Sequence, residues 1–298
     1  MDIPRIAHRL LARRADVPGL NALWYAAQWR WADRQVRTSL HGQDAVINFA
    51  NPYPRLVRRL PQYNRPQVLA VQAAAAALGR PVHVVDVGAA MGDTALKLLS
   101  ECGDQISSLT CVEGNPAFAK MLRLNVAGHR AIVHEALLSD SEGDAPALVH
   151  NQHAGTASAT GTARVPTTTL DALLGGETVD VLKVDTDGYD GLILAGSRSV
   201  LAQRPVVLFE WHPVACAVAG TDERLAFRVL RDYPRAVWFT KYGVFSHITQ
   251  GIDDAVLDAM AAVCRDADLP DWHYDVLALP ADTEISVTKL ASTGSAGG

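Results

Sequence analysis

The stretch PVHVVDVGAAMGDTALKLLSECG, residues 81–103, decides the architecture. A short β-branched run bounded by Pro81 and Gly88 reads as a strand. The run GDTALKLLSECG then reads as a helix, with Thr94 near its start and Gly103 beyond its end. Between them, Gly88 and Gly92 bracket a tight turn that lets a ligand approach the backbone closely. A dinucleotide fingerprint would need G-x-G-x-x-G with a helix N-terminus offered to pyrophosphate. GAAMG lacks that spacing.

The same alternation repeats outward. SSLTCVEG, RAIVHEALL, VDVLKVD, RPVVLFEW, RAVWFTKYG and HYDVLALP read as strands, separated by helical patterns such as NPAFAKMLRLNVAG and IDDAVLDAMAAVCRDA. Seven strands alternating with helices predict an α/β fold, Rossmann-like, with a mostly parallel sheet covered on both faces. Ligands in such sheets bind beyond the carboxyl ends of the strands, where strand order reverses. Asp86, Glu113, Asp185, Asp187 and Glu210 therefore become site candidates.

The chain has 298 residues, 49% hydrophobic and 20% charged. No apolar run is long enough to span a membrane. The four cysteines are scattered, fitting packed thiols in a reduced, cytoplasmic setting rather than a disulfide framework or zinc site. Residues 1–66 contain eleven Arg, no Lys, four Asp and no Glu, a net of +7 against −12 for the remainder. The expected division is a basic N-terminal helical and loop extension over 1–66, a main domain over 67–290, and a disordered tail over 291–298. The extension is expected to dock on the acidic body; a peripheral membrane contact and a homodimer stay open as alternatives. Nucleic acid is not expected, because basic residues with interleaved aromatics do not continue through the body. In LNALWYAAQWRW, Leu20, Trp24, Ala27 and Trp31 share one helical face, a core or dimer stripe.

Two acidic residues describe the ligand. Asp86 closes the first strand beside the glycine turn, where it would suit an amino group. Glu113 closes the second, where a carboxylate accepts hydrogen bonds from ribose hydroxyls. A nucleoside carrying an amino acid and no phosphate fits both: S-adenosylmethionine (SAM). The ordered series VVDVGAAMGDTALKLL, VEGNPAFAKMLRLNV, ALLSDSEGDAPALV, VPTTTLDALL and VDVLKVDTDGYDGLILAGSRSVLAQRPVVLFEWHP, spanning residues 82–213, resembles the FkbM family of SAM-dependent methyltransferases. The resemblance implies a class I methyltransferase fold whose last strand runs antiparallel. It also implies methyl transfer to a hydroxyl of a sugar, a glycan or another natural product.

Carried over residue by residue, the resemblance places Asp86, Gly88, Ala89 and Gly92 at the methionine end of SAM and Glu113 with Gly114 at the ribose. Asn115 and Ala136 fall near the adenine. The chain departs from the family at two places. Ala90 stands where GANxG has Asn, and Asp187 and Asp190 stand where KxDxEGxE has glutamates. Each of those carboxylates is retracted by about 1.5 Å, one carbon–carbon bond.

The acidic turn DTDGYDG admits three readings. It does not match a calcium loop. Asp185, Asp187 and Glu210 could hold magnesium, although a divalent metal is not the expectation. Asp185 could instead flank the methyl group while Asp187 or His212 accepts the acceptor's proton. Third, Asp187 or Asp190 could only cap the next helix. Lys183, set in a strand, is expected to anchor a carboxylate. The acceptor, anionic in one version, is expected under the extension, against Tyr53, Tyr63, Asn64 and Trp211, with Arg58 and Arg59 facing its charge. HAGTASATGTARVPTTTL, residues 153–170, reads as a hairpin or lid. The rival readings are an NAD-dependent oxidoreductase, disfavoured by the missing fingerprint, and a non-catalytic nucleoside-binding protein.

Overall fold

The computed structural model describes residues 3–13, 17–150, 157–251, 253–269, 271–285 and 290. The expected tail, 291–298, and residues 153–156 of the expected lid lie outside these. Fifteen strands are found among the described residues. An N-terminal hairpin comprises β1 (Gln35–Leu40) and β2 (Gln43–Asn48); β3 (Val82–Val87), β4 (Ile106–Glu113) and β5 (Ala131–Glu135) follow. Short strands β6 (Leu137–Leu138), β7 (Gly143–Pro146), β8 (Val149–His150), β9 (Ala157–Ser158) and β10 (Arg164–Thr168) form two small sheets beside them. The chain then returns through β11 (Val181–Val184), β12 (Val206–Trp211), β13 (Arg235–Thr240), β14 (Phe245–Gln250) and β15 (Tyr274–Leu279).

The main sheet has eight strands in the order β14-β13-β15-β12-β11-β3-β4-β5. The seven expected strands are all present, and β15 is antiparallel to both its neighbours, β12 and β13. The antiparallel last strand is the one the sequence resemblance implies. The eighth strand, β14, is an addition: it pairs antiparallel with β13 at the sheet edge. Order reverses between β3 and β11, which pair in parallel with Lys183 opposite Asp86.

Period-2 alternation sorts side chains between two cores. Val85, Val87, Leu182, Val184, Val207, Phe209 and Trp211 enter one. Val82, Val84, Leu109, Cys111, Val181, Val206, Leu208 and Leu277 enter the other. Continuing the second parity to the carboxyl ends puts Asp86, Glu113, Lys183, Asp185 and Glu210 on a single face. Asp275, opposite Glu210 in the register, shares it.

That face meets the N-terminal layer. Helices α1 (Ile3–Arg13), α2 (Pro18–Trp31) and α3 (Tyr53–Arg59) flank the hairpin, and α4 (Arg65–Leu78) leads into β3. The hairpin turns on His41 and Gly42, both with positive φ, the geometry of a two-residue turn matched to strand twist. The extension was expected to be helices and loops; the hairpin corrects this. Apolar packing joins it to the main domain. Trp24, Ile47, Phe49 and Tyr53 share an apolar core with Met91 and Leu96 of α5 and its loop (α5, Asp93–Cys102) and with Phe118 and Met121 of α6 (Pro116–Asn125). The Asn125 carboxamide closes the seam by donating to Val46 O at 2.8 Å and accepting from Val46 N–H at 2.7 Å. In α2, Trp24 and Ala27 are buried and Leu20 and Trp31 half-buried, so the expected stripe is the inner face.

Candidate active site

At the switch point the glycine turn and the acidic turn touch. Gly88 has φ +74°, and a Cβ there would lie 1.9 Å from Asp185 O, so only glycine fits. Beneath them Lys183 is buried. Its Nζ lies 2.9 Å from Asp86 Oδ1 and 3.3 Å from Asp185 Oδ2, and donates to Gly88 O at 3.2 Å. Burial opposes its charge, but Asp86 and Asp185 outweigh burial and hold the ammonium above its ordinary pKa. Asp86 is 0% exposed. Burial raises its pKa against the pull of Lys183. The expected contact of Asp86 with a ligand's amino group is therefore corrected: its partner is Lys183, and no surface is left for a ligand.

Glu113, at the end of β4, accepts from Ala90 N–H at 2.8 Å and from Asn115 N–H at 2.7 Å, one bond to each oxygen. Burial pushes it up to about 7 while these two donors pull the other way. A carboxylate has about four lone-pair positions, so two remain for a diol. Ala90 holds the φ of +46° that its N–H needs. Asn115 Oδ1 is committed to capping α6, at 2.9 Å from Ala117 N and 3.2 Å from Phe118 N. Ala89 is buried in the turn, and Gly92 leads into α5 with φ +87°. Gly114 packs under Leu137 and Leu148, and Ala136 N–H donates to Glu113 O at 3.2 Å.

The acidic turn separates into distinct roles. Asp190 is a fastener: it accepts from Thr186 N–H and Oγ1–H and, across to β12, from Glu210 N–H at 3.2 Å. Burial, then Asp185, raises it to about 7. Asp185 keeps 41% of its side chain exposed. Asp187 takes φ +51° and is exposed at the surface, but crowding by neighbouring groups, followed by the charge of Asp185, raises it to about 6.

His212, expected as a possible base, has both ring nitrogens engaged. Its Nδ1 accepts from Ala215 N–H at 3.4 Å at a helix start, which leaves the proton on Nε2, 3.1 Å from Asp271 Oδ1. Neither nitrogen is free. The sequence reading missed His273, which lies beside it. His273 Nδ1 donates to Asp271 O at 3.2 Å, leaving Nε2 as an acceptor 3.2 Å from Glu210 Oε2. Burial raises Glu210 well above the usual carboxylate range, with Asp185 and Asp187 adding to it; burial brings His273 down to about 4. A protonated Glu210 facing a neutral His273 satisfies both. His212, Asp271 and His273 bring ligand-type atoms within 4.8 Å of one another. With His212 Nε2 protonated and His273 Nε2 turned to Glu210, the set offers no imidazole lone pair to a metal. Of the residues named for magnesium, Glu210 faces His273, while Asp185 keeps one oxygen on Lys183 and 41% of its side chain exposed.

Tyr63 is the extension's contribution. Its hydroxyl is raised by burial and then by Asp185, Asp275, Asp93 and Glu210, the carboxylates of the acidic floor. The neighbouring Asn64 donates to Thr94 Oγ1 at 3.2 Å, and Gly243, in the β13–β14 turn, packs directly on Gln62 O. Two expected acceptor contacts are corrected. Tyr53 is 3% exposed with its hydroxyl 2.8 Å from His41 Nε2. Trp211 is 2% exposed, packs edge-on against Trp238 within the opposite core and donates to Glu223 O, because its parity on β12 points away from Glu210. Asp93 and Asp275 join the floor without having been expected, and burial raises them to about 6 and about 8. Two hollows, lined by Gln72 with Ser100–Gln105 and with Arg80–Pro81, open at the amino ends of the strands, away from this cluster.

Among solved structures, the chain is similar to a methyltransferase FkbM from Methylobacillus flagellatus KT, at 15% identity and TM-score 0.41. That likeness covers 53% of this chain and 40% of the other, so it spans under half of that protein's length. It is also similar to an O-methyltransferase from Bacillus cereus in complex with S-adenosylhomocysteine (SAH), at 13% identity and TM-score 0.37, over 72% and 79% of the two chains. A precorrin-6y C5,15-methyltransferase from Geobacter metallireducens GS-15 matches at 12% identity and TM-score 0.37, over 70% and 87%. No curated protein matches. The family model described as Methyltransferase FkbM domain matches residues 86–232, which run from Asp86 through both strand-end clusters and past the acidic turn.

Proposed function

We propose that the chain is a SAM-dependent O-methyltransferase acting on a hydroxyl of a sugar, glycan or other natural product. The observation that carries this is the meeting of Gly88 with Asp185 at the switch point, one strand from Glu113. The residues fit the group. Glu113 retains lone pairs for a ribose diol, neither Gly88 nor Gly92 has room for a side chain, and the partly exposed Asp185 suits a cation. When bound, SAM supplies an electrophilic methyl group on sulfur.

The chain's own part is positioning and proton removal. The acceptor oxygen bonds to the methyl carbon as the carbon–sulfur bond breaks, and Asp187 takes the hydroxyl proton. A carboxylate raised to about 6 is a stronger base than an ordinary aspartate and is still mostly ionised near neutrality. Tyr63 and Asn64 border the acceptor space. Asp187, still mostly ionised near neutrality, favours a neutral or cationic acceptor over an anionic one.

Calorimetric titration of SAH into the purified protein tests the reading, with Glu113→Ala and NAD as controls. Micromolar binding, lost in the variant and absent for NAD, supports it. A folded protein that binds no SAH refutes it. Methyl transfer to hydroxylated and amino acceptors, compared in wild type and Asp187→Asn, then separates O- from N-transfer.

A further inference from the structure

The N-terminal helices carry a second surface. Their inner faces are spent on the shared core, yet the outer faces are apolar too. In α1, Ile3, Ile6 and Leu10 follow i, i+3, i+7 spacing and are all exposed. In α2, Ala22, Tyr25, Ala26 and Trp29 follow i, i+3, i+4, i+7, with Tyr25 63% and Trp29 79% exposed. A helix that is apolar all round is ordinarily buried on all sides. Seven of the sixteen large apolar side chains exposed among the described residues fall between Ile3 and Trp29. That is a concentrated patch, and patches of this kind mark contact surfaces.

Charge chooses the occupant. Helices α1 and α2 contain Arg5, Arg9, Arg13 and Arg30 and no Asp or Glu. Arg9 and Arg30 are exposed beside the apolar positions, and exposed Arg34 and Arg37 follow. A second copy meeting this face through a two-fold axis would set arginine against arginine. A surface of mobile anionic headgroups meets the guanidiniums instead, while aliphatic side chains enter the acyl boundary and Trp and Tyr sit at headgroup level.

We propose that α1 and α2 form an interfacial anchor that seats this protein on an anionic lipid bilayer. The anchor packs through Met91 and Phe118 against the glycine turn and α6, so seating would hold the carboxylate cleft near the bilayer. This inference does not depend on the methyl-transfer reading.

The test is co-sedimentation with vesicles of phosphatidylcholine plus phosphatidylglycerol, against phosphatidylcholine alone. Wild type is expected to bind the mixed vesicles at least about tenfold more tightly, and more weakly as salt rises. Arg9→Gln with Arg30→Gln is expected to lose about 25-fold, near fivefold per charge. Ile6→Glu with Leu10→Glu, both at exposed positions, is expected to abolish binding while leaving far-ultraviolet circular dichroism and SAH titration unchanged. Equal binding to both vesicle types, or full binding by either double variant, would overturn the proposal. So would a wild-type dimer in ultracentrifugation that the Ile6/Leu10 variant dissociates, since the patch would then be a subunit contact.

Discussion

Replacing Lys183 by methionine removes the cation that Asp86 touches. Asp86 is fully buried, and neither of its oxygens completes a well-formed hydrogen bond elsewhere. The orphaned carboxylate has two options: remain charged in an apolar site, or take up a proton. From an ordinary value of 3.8, protonation at about pH 7 costs about 4 kcal/mol, which caps the penalty. Breaking a buried ion pair from one side is typically worth about 3–5 kcal/mol, so the two routes agree. The sign follows from proton counting. In the variant the folded state binds a proton that the unfolded state has released, so its stability recovers as pH falls. Urea denaturation at about pH 7 should show a loss of about 4 kcal/mol against wild type, shrinking by about 1.4 kcal/mol per unit toward about pH 5. Asp86→Asn combined with Lys183→Met should be more stable than Lys183→Met alone. A single variant that loses under about 1 kcal/mol, or a penalty flat across that pH range, would refute the account of Lys183 as the counter-ion of a buried Asp86.

Two further outcomes are expected. Ala90→Gly removes a left-handed strain of about 1–2 kcal/mol and adds unfolded-state entropy of about 0.4–1 kcal/mol, so it should stabilise by about 0.5–1 kcal/mol. A thermal melt no higher than wild type would contradict this. His8 is buried against Trp24 and Phe49, and burial lowers it from 6.5 to about 4. Its depressed value means the N-terminal layer is fully stable above about pH 6.5 and loses up to about 3 kcal/mol as pH falls toward 4. His8→Phe should flatten that slope in urea titrations, and an unchanged slope would show that another group causes it.

Much of this was legible in one dimension. Seven of the eight strands of the main sheet announce themselves as β-branched runs, and Gly88, Asp185 and Glu113 stand at strand ends where the sheet rule puts a ligand. Lys183, a charge inside an apolar strand, signals a buried partner, and counting residues across the aligned strands could have named Asp86. The same parity would have turned Trp211 away from the site, since it lies one residue beyond Glu210. The hairpin was missed because its turn is His41-Gly42 rather than the more telling Asn-Gly.

Other features exist only in three dimensions. Nothing local in Tyr53 says that it is buried on His41, or in His212 that its ring caps a helix. The Glu210–His273 pair joins residues 63 positions apart, brought together because β15 returns antiparallel beside β12. A sequence determines which groups carry charge and which alternate along a strand, because those properties are local. Which carboxylate keeps its proton, which aromatic reaches the cleft and which face of α2 meets water depend on desolvation and non-local packing, and only the assembled tertiary structure sets those.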